Sequence, residues 1–196
     1  MPLGAHKATL FGVAGVSTGS VVLLSTQTAS DSASLDFTSG IDSTYGEYIF
    51  KFYNINPATD DVDFTFQVNA VDASGFNETI TSTFFAALHS ESDASSGLYY
   101  LAGYDQAQGT SYQALGYDTG SGGDECYAGT LHLFNPSSTT YVKHFYSRAS
   151  NHHQEGYAQD ANAAGYINIT AAIDEISFKM ESGNISSGTI KMWGVK

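Results

Sequence analysis

The chain has 196 residues, enough for one ordinary core that buries about 70% of the surface an extended chain would expose. Seven Lys and Arg stand against twenty Asp and Glu, for a formal charge of -13, which repels phosphate backbones and argues against a nucleic-acid partner. The one cysteine, Cys126, rules out an internal disulfide, so the fold has to stand on packing or on association with copies of itself. Beside Tyr127 at the head of a strand, Cys126 reads as a small buried apolar residue. Only 14% of residues are charged, so the surface is polar mainly by hydroxyl and amide. That balance suits packed interfaces, whose centres are poor in charge and rich in tyrosine.

Residues 10–24 carry Phe11, Val13, Val16 and Val21 to Leu24 after Lys7, a pattern superficially like a secretory leader. Ser17-Thr18-Gly19-Ser20 interrupts it and no small-x-small cleavage site follows. It is also too broken to span a membrane. Residues 1–19 are therefore expected to form an anchoring arm, with Pro2, Leu3, Phe11 and Val13 as its interface side chains, and residues 20–196 a single domain.

Strand candidates follow at 20–27 and 34–38. Residues 46–55 are aromatic on both faces, with Tyr48, Phe50 and Phe52 on one side and Ile49, Tyr53 and Ile55 on the other, as in a central or covered strand. Asn56-Pro57 starts a turn that a central strand would reject. In 62–70, Val62, Phe64, Phe66, Val68 and Ala70 alternate with Asp63, Thr65, Gln67 and Asn69, the clearest half-buried strand in the chain. Residues 79–88 read as a strand with an irregular end, favoured by three threonines, and 98–102 as a short one. Residues 103–125, rich in Gly, Gln, Ser and Asp, read as one long loop, a length that is often functional. Residues 126–134 and 141–148 resume strand character. A polar loop precedes closing strands at 166–170, 174–181 and 189–196, which alternate between apolar and polar positions. The fold class expected from this pattern is all-β: nine or ten antiparallel strands in a double-sheet jelly-roll sandwich. An immunoglobulin-like sandwich is the alternative, without its cysteine and tryptophan signature.

No catalytic motif stands out, and neither a metal nor another cofactor is expected. His144, His152 and His153 form the one local histidine group, but adjacent residues on an extended backbone point to opposite faces. Asp60, Asp61 and Asp63 lack the ladder of a calcium loop and read as a solvated turn. Asp118-Thr119-Gly120 matches half of an aspartic-protease site without the second carboxylate that chemistry needs. The glycines that follow lack the lysine of a phosphate-binding loop. The mid-chain tyrosines 99, 100, 104, 112, 117 and 127 offer flat apolar rings with one polar tip. They could line a subunit interface, pack ordinarily, or bind a glycan through Tyr104, Tyr112, Tyr117 and Gln113.

The ending Ser186-Ser187-Gly188-Thr189-Ile190-Lys191-Met192-Trp193-Gly194-Val195-Lys196, the preceding Ile173-Asp174-Glu175-Ile176-Ser177-Phe178-Lys179-Met180, and the early Tyr45-Gly46-Glu47-Tyr48-Ile49-Phe50-Lys51-Phe52 resemble strands of small jelly-roll virion proteins of tailed, especially marine, bacteriophages. The resemblance covers 166–196 best and 45–69 next. It implies a noncatalytic virion structural protein, a tail, fibre or adaptor component assembled in the host cytoplasm as a trimer or other symmetric oligomer with other virion proteins. A capsid decoration protein and a carbohydrate-binding module that recognises a host surface glycan are the alternatives.

Overall fold

Val21–Ser32 opens the fold in the computed structural model, which describes residues 21–196; Pro2, Leu3, Phe11 and Val13 lie outside that range. Thirteen strands follow one another: β1 Val21–Ser32, β2 Leu35–Phe37, β3 Glu47–Pro57, β4 Val62–Ala70, β5 Ile80–Ser90, β6 Ser96–Tyr100, β7 Ala107–Gly109, β8 Gln113–Thr119, β9 Tyr127–Phe134, β10 Lys143–His153, β11 Tyr157–Ile167, β12 Ile173–Met180 and β13 Ile185–Val195. Every pairing is antiparallel. No helix occurs among the described residues, so none there is long and apolar enough to cross a membrane.

One layer runs β1-β13-β3-β9-β10-β11-β5, with β6 and β7 in line along the outer edge of β5. The other runs β8-β4-β12-β2. A single bridge, His153 to Thr119, joins β10 to β8, and at the opposite side Gln27 of β1 donates to the Asp36 carbonyl of β2 at 2.6 Å. The result is a nearly closed, barrel-like sandwich.

Period-two alternation drives the core, because every second side chain of a strand faces the same layer. Phe64, Phe66, Phe178 and Met180 are all buried, as the pattern predicts. Phe178 is the hub, with the rings of Phe37, Phe50, Phe52, Phe64 and Phe66 at centroid distances of 5.2 to 6.5 Å. A second, smaller cluster joins Phe84, Ala86, Ala114, Tyr117, Ala161 and Ala163 where β5 and β11 curl over β8.

Several expectations need correction. Among the described residues there are thirteen strands, not nine or ten, and three of them lie wholly or largely in segments read as loops. β7 and β8 sit inside 103–125, and β11 begins at Tyr157 in the supposed polar loop and ends at Ile167, leaving no separate strand at 166–170. β3 is not two-faced throughout: Asn54 takes a positive φ of 51° at a bulge between Phe52 and Ile55, which turns Ile55 to the core face beside Phe52. Ser186-Ser187-Gly188, ahead of the expected closing strand at 189–196, forms an irregular stretch inside β13. A Cβ on Gly188, whose φ is 126°, would lie 2.7 Å from the Asn54 carbonyl oxygen, so this crossing of two bulges needs glycine.

The polar face of β4 is not solvent-facing. Thr65, Gln67 and Asn69 are buried beneath the 72–79 and 103–112 connections. Gln67 Nε2 donates to the carbonyls of Glu78, Thr110 and Ser111 at 2.9 to 3.2 Å, satisfying groups that a loop over a sheet would otherwise leave orphaned. Lys143 is buried as well, its ammonium donating to Ile169 O at 3.2 Å and Ala171 O at 2.5 Å. Loss of water around that ammonium pulls its pKa down.

Candidate functional site

The outer face of the β8-β4-β12-β2 layer carries a groove of about 680 Å³. Its floor includes Asp63 and Thr65 of β4, Lys179 of β12 and Glu181 just beyond it, and its wall is the 103–112 segment with Tyr104, Asp105, Gln106 and Tyr112. The wall exists because the chain leaves β6 and runs through β7 before entering β8, held by Gln67 below and by the Ser82 hydroxyl, which accepts from Gln106 N at 2.9 Å.

Tyr104 stacks on Tyr117 at 4.7 Å and lies 5.5 Å from Phe84. Its hydroxyl donates to Asp118 Oδ1 at 3.4 Å. Tyr112 sits under the Lys179 ammonium, 4.4 Å from the ring centre, and its hydroxyl donates to Ser177 Oγ at 3.1 Å, which in turn donates to Asp36 at 2.6 Å. Each ring is half-buried and has one face already covered. The groove thus offers ring edges, carboxylates, an amide and one ammonium, the groups that receive a polyhydroxylated ligand.

Two of the four residues expected to meet a glycan are elsewhere. Tyr117 is 5% exposed and belongs to the second apolar cluster. Gln113 is fully buried, donating to Tyr104 O and Ala114 O and accepting from the Ser82 hydroxyl, so it fixes the groove wall from behind. The six tyrosines close in sequence divide in space. Tyr99 and Tyr100 are exposed on β6, Tyr104 and Tyr112 line the groove, and Tyr117 and Tyr127 are buried. Burial raises the hydroxyl pKa of Tyr104, Tyr112, Tyr117 and Tyr127, which keeps them neutral donors.

The acids between β4 and β8 form a brace. Asp63 accepts from Asp118 N at 3.2 Å, and Asp118 meets His153 at 3.3 Å. Burial pushes the Asp63 carboxyl up to about 7; the Asp118 amide opposes this, while the Glu181, Asp118 and Asp61 carboxylates add to it. Burial raises Asp118 too, and His153 draws it back. Asp60 turns away to accept from Ser121 N at 2.9 Å. Asp60, Asp61 and Asp63 therefore do not converge: Asp60 ties the β3–β4 turn to the segment after β8, and Asp63 ties β4 to β8 itself.

That segment fills itself. The Glu125 carboxylate accepts from Gly122 N at 2.6 Å and occupies the space over Gly120 and Gly122, where added Cβ atoms would meet it. An anion has no room in the glycine loop.

His152 and His153 point to opposite faces, the first between Glu91 and Glu125, each at 3.2 Å, the second inward to Asp118, while His144 lies on the outer face beside Tyr166. Among the described residues no three His, Cys, Asp or Glu side chains are placed to hold a metal ion. Cys126 is half-buried, not fully buried as its neighbours in sequence implied.

One further surface had no signal in the alternation. Leu98 and Tyr100 of β6 are 70% and 59% exposed, beside the exposed Phe85 of β5. No protein-family model matches the chain, and no curated protein sequence matches it.

Proposed function

We propose that the chain is a noncatalytic structural protein of a tailed-bacteriophage virion, a tail, fibre or adaptor component built on a jelly-roll variant and assembled with copies of itself. The observation that carries the reading is the exposed apolar surface of Phe85, Leu98 and Tyr100 on the paired strands β5 and β6, on a chain of net charge -13. Isolated exposed apolar residues are ordinary, whereas a contiguous set marks a contact with another molecule. The segments that resemble virion proteins add support, since residues 173–180 form β12 and residues 189–195 lie in β13, one strand in each of the two layers that enclose the core. The polar segments that resembled catalytic or ion-binding motifs are engaged in bracing the fold, which also favours a mechanical role.

Quantitative mass spectrometry of gradient-purified particles, produced from the genome that encodes the chain, tests this. The expected result is a fixed copy number in infectious particles that is a multiple of the tail symmetry. A number matching the capsid lattice would make it a decoration protein, and absence from particles would refute the virion reading.

A second reading, recognition of a host surface glycan, is favoured by one observation: Tyr104 and Tyr112 share the groove with Asp105, Gln106 and Lys179. Tyr112→Ala removes a ring edge and the seat of the Lys179 ammonium. It is expected to abolish retention on a glycan array while leaving the oligomeric state intact; unchanged retention would refute glycan binding in this groove.

A further inference from the structure

β6 is paired on one side only. Leu101 N donates to Phe84 O at 3.0 Å and Ser90 N donates to Ser95 O at 2.9 Å, and these bonds bracket the ladder Gly97↔Leu88 and Tyr99↔Ala86. In an antiparallel pair, hydrogen-bonded residues alternate with residues whose backbone groups point the other way. The N–H and C=O groups of Ser96, Leu98 and Tyr100 therefore face away from β5, toward an edge that no strand among the described residues covers. β7 does not cover it either, because β7 pairs with β5 further along, at Ile80 and Thr81.

Natural proteins blunt such an edge with lysine, proline, a bulge or a covering segment. Here residues 94–104 contain no Asp, Glu, Lys, Arg, His or Pro, on a chain of net charge -13. The strand itself thus sets no charge against an equally acidic molecule, and the adjacent Asp105 carboxylate is engaged by the Tyr100 hydroxyl. A basic partner would be drawn to the acidic groove and turns instead.

We propose that two copies of this chain pair through β6, antiparallel across a two-fold axis at Leu98, making one continuous sheet from both larger layers. The register follows from the backbone. With Leu98 on the axis, Leu98 opposes Leu98 of the second copy and Ser96 opposes its Tyr100, so all three outward-facing residues of each strand are paired. Three residue pairs with two bonds each satisfy the whole edge. Moving the axis by one residue pair leaves Ser96 or Tyr100 without a partner. On the solvent side this register brings the two Leu98 side chains together, flanked by Phe85 and Tyr100 of each copy. A seam this short falls below the roughly 1,200 Å² of a stable interface, so the pair is a weak one, dissociating in about the micromolar range or above when free and strengthened by multivalency when anchored.

The inference deepens the assembly reading of Proposed function and is tested apart from it. Sedimentation equilibrium of the full chain across the micromolar range is expected to show a mass rising from 20.8 kDa toward twice that, more steeply at higher salt because screening relieves the like charge of two acidic copies. Leu98→Lys should hold the chain monomeric, whereas Tyr53→Lys, on the exposed face of β3, should not. In a Cys126→Ser background, Leu98→Cys should form an intermolecular disulfide under mild oxidation, because opposed hydrogen-bonded residues lie about 5.5 Å apart, within disulfide reach. Tyr53→Cys should not. A chain that stays monomeric, or a dimer that Leu98→Lys leaves intact with no Leu98→Cys disulfide, overturns the proposal. Dimers formed by a chain absent from particles would sink the virion reading and leave this pairing standing; the chain in particles but without the disulfide would do the reverse.

Discussion

Asp63→Asn should stabilise the protein at mildly alkaline pH and flatten its response to pH. Asp63 is held above its ordinary range, at about 7 against a model-compound value of 3.8, chiefly by burial against β8. A carboxyl whose folded pKa is raised makes the folded state bind the extra proton, so stability is greatest below about pH 4, falls as pH rises, and levels off above about pH 7. Three units at about 1.4 kcal/mol each set a ceiling near 4 kcal/mol. The side chain is half-buried, so solvent screening brings the expected effect to about 2 kcal/mol. Asparagine keeps an oxygen to accept from Asp118 N and carries no charge at any pH. Urea unfolding at about pH 4, 6 and 8 should find the variant and the wild type alike at the lowest pH and the variant ahead by about 2 kcal/mol at the highest. A difference that stays constant across that window, or a variant that loses ground as pH rises, would refute the argument.

Phe178→Ala removes the ring on which five others converge and should cost about 3–5 kcal/mol, read as a lowered urea midpoint. Lys143→Met keeps the stem but leaves the Ile169 and Ala171 carbonyls without their donor, so chemical unfolding should show a loss of about 1–3 kcal/mol. Gln113→Ala should destabilise by a similar amount, because Tyr104 O, Ala114 O and the Ser82 hydroxyl lose a buried partner. Hydrogen exchange should then show faster opening of 103–112 than of β4.

What the sequence made legible was the layer-forming alternation: β4 was found to the residue, from Val62 to Ala70. What it hid were strands whose side chains do not announce a buried face. β11 reads Tyr-Ala-Gln-Asp-Ala-Asn-Ala-Ala-Gly-Tyr-Ile, where alanine packs against β5 and β8 without the bulk that makes periodicity visible. β8 is covered on both faces, so Gln113-Ala114-Leu115-Gly116 does not alternate at all. The groove was half legible. Tyrosine density pointed to the segment, but only the path through β7 decides that Tyr104 and Tyr112 face outward while Tyr117 and Gln113 face in. The open edge of β6 could not be read, because exposure of Leu98 depends on which strand lies beside it.

A density map of the native particle bears most directly on the account of an assembling, noncatalytic sandwich. The account predicts copies of the thirteen-strand fold in symmetric contact on the tail, with β6 of one copy against β6 of the next. A chain found in the particle as isolated copies, or not found there at all, would contradict it.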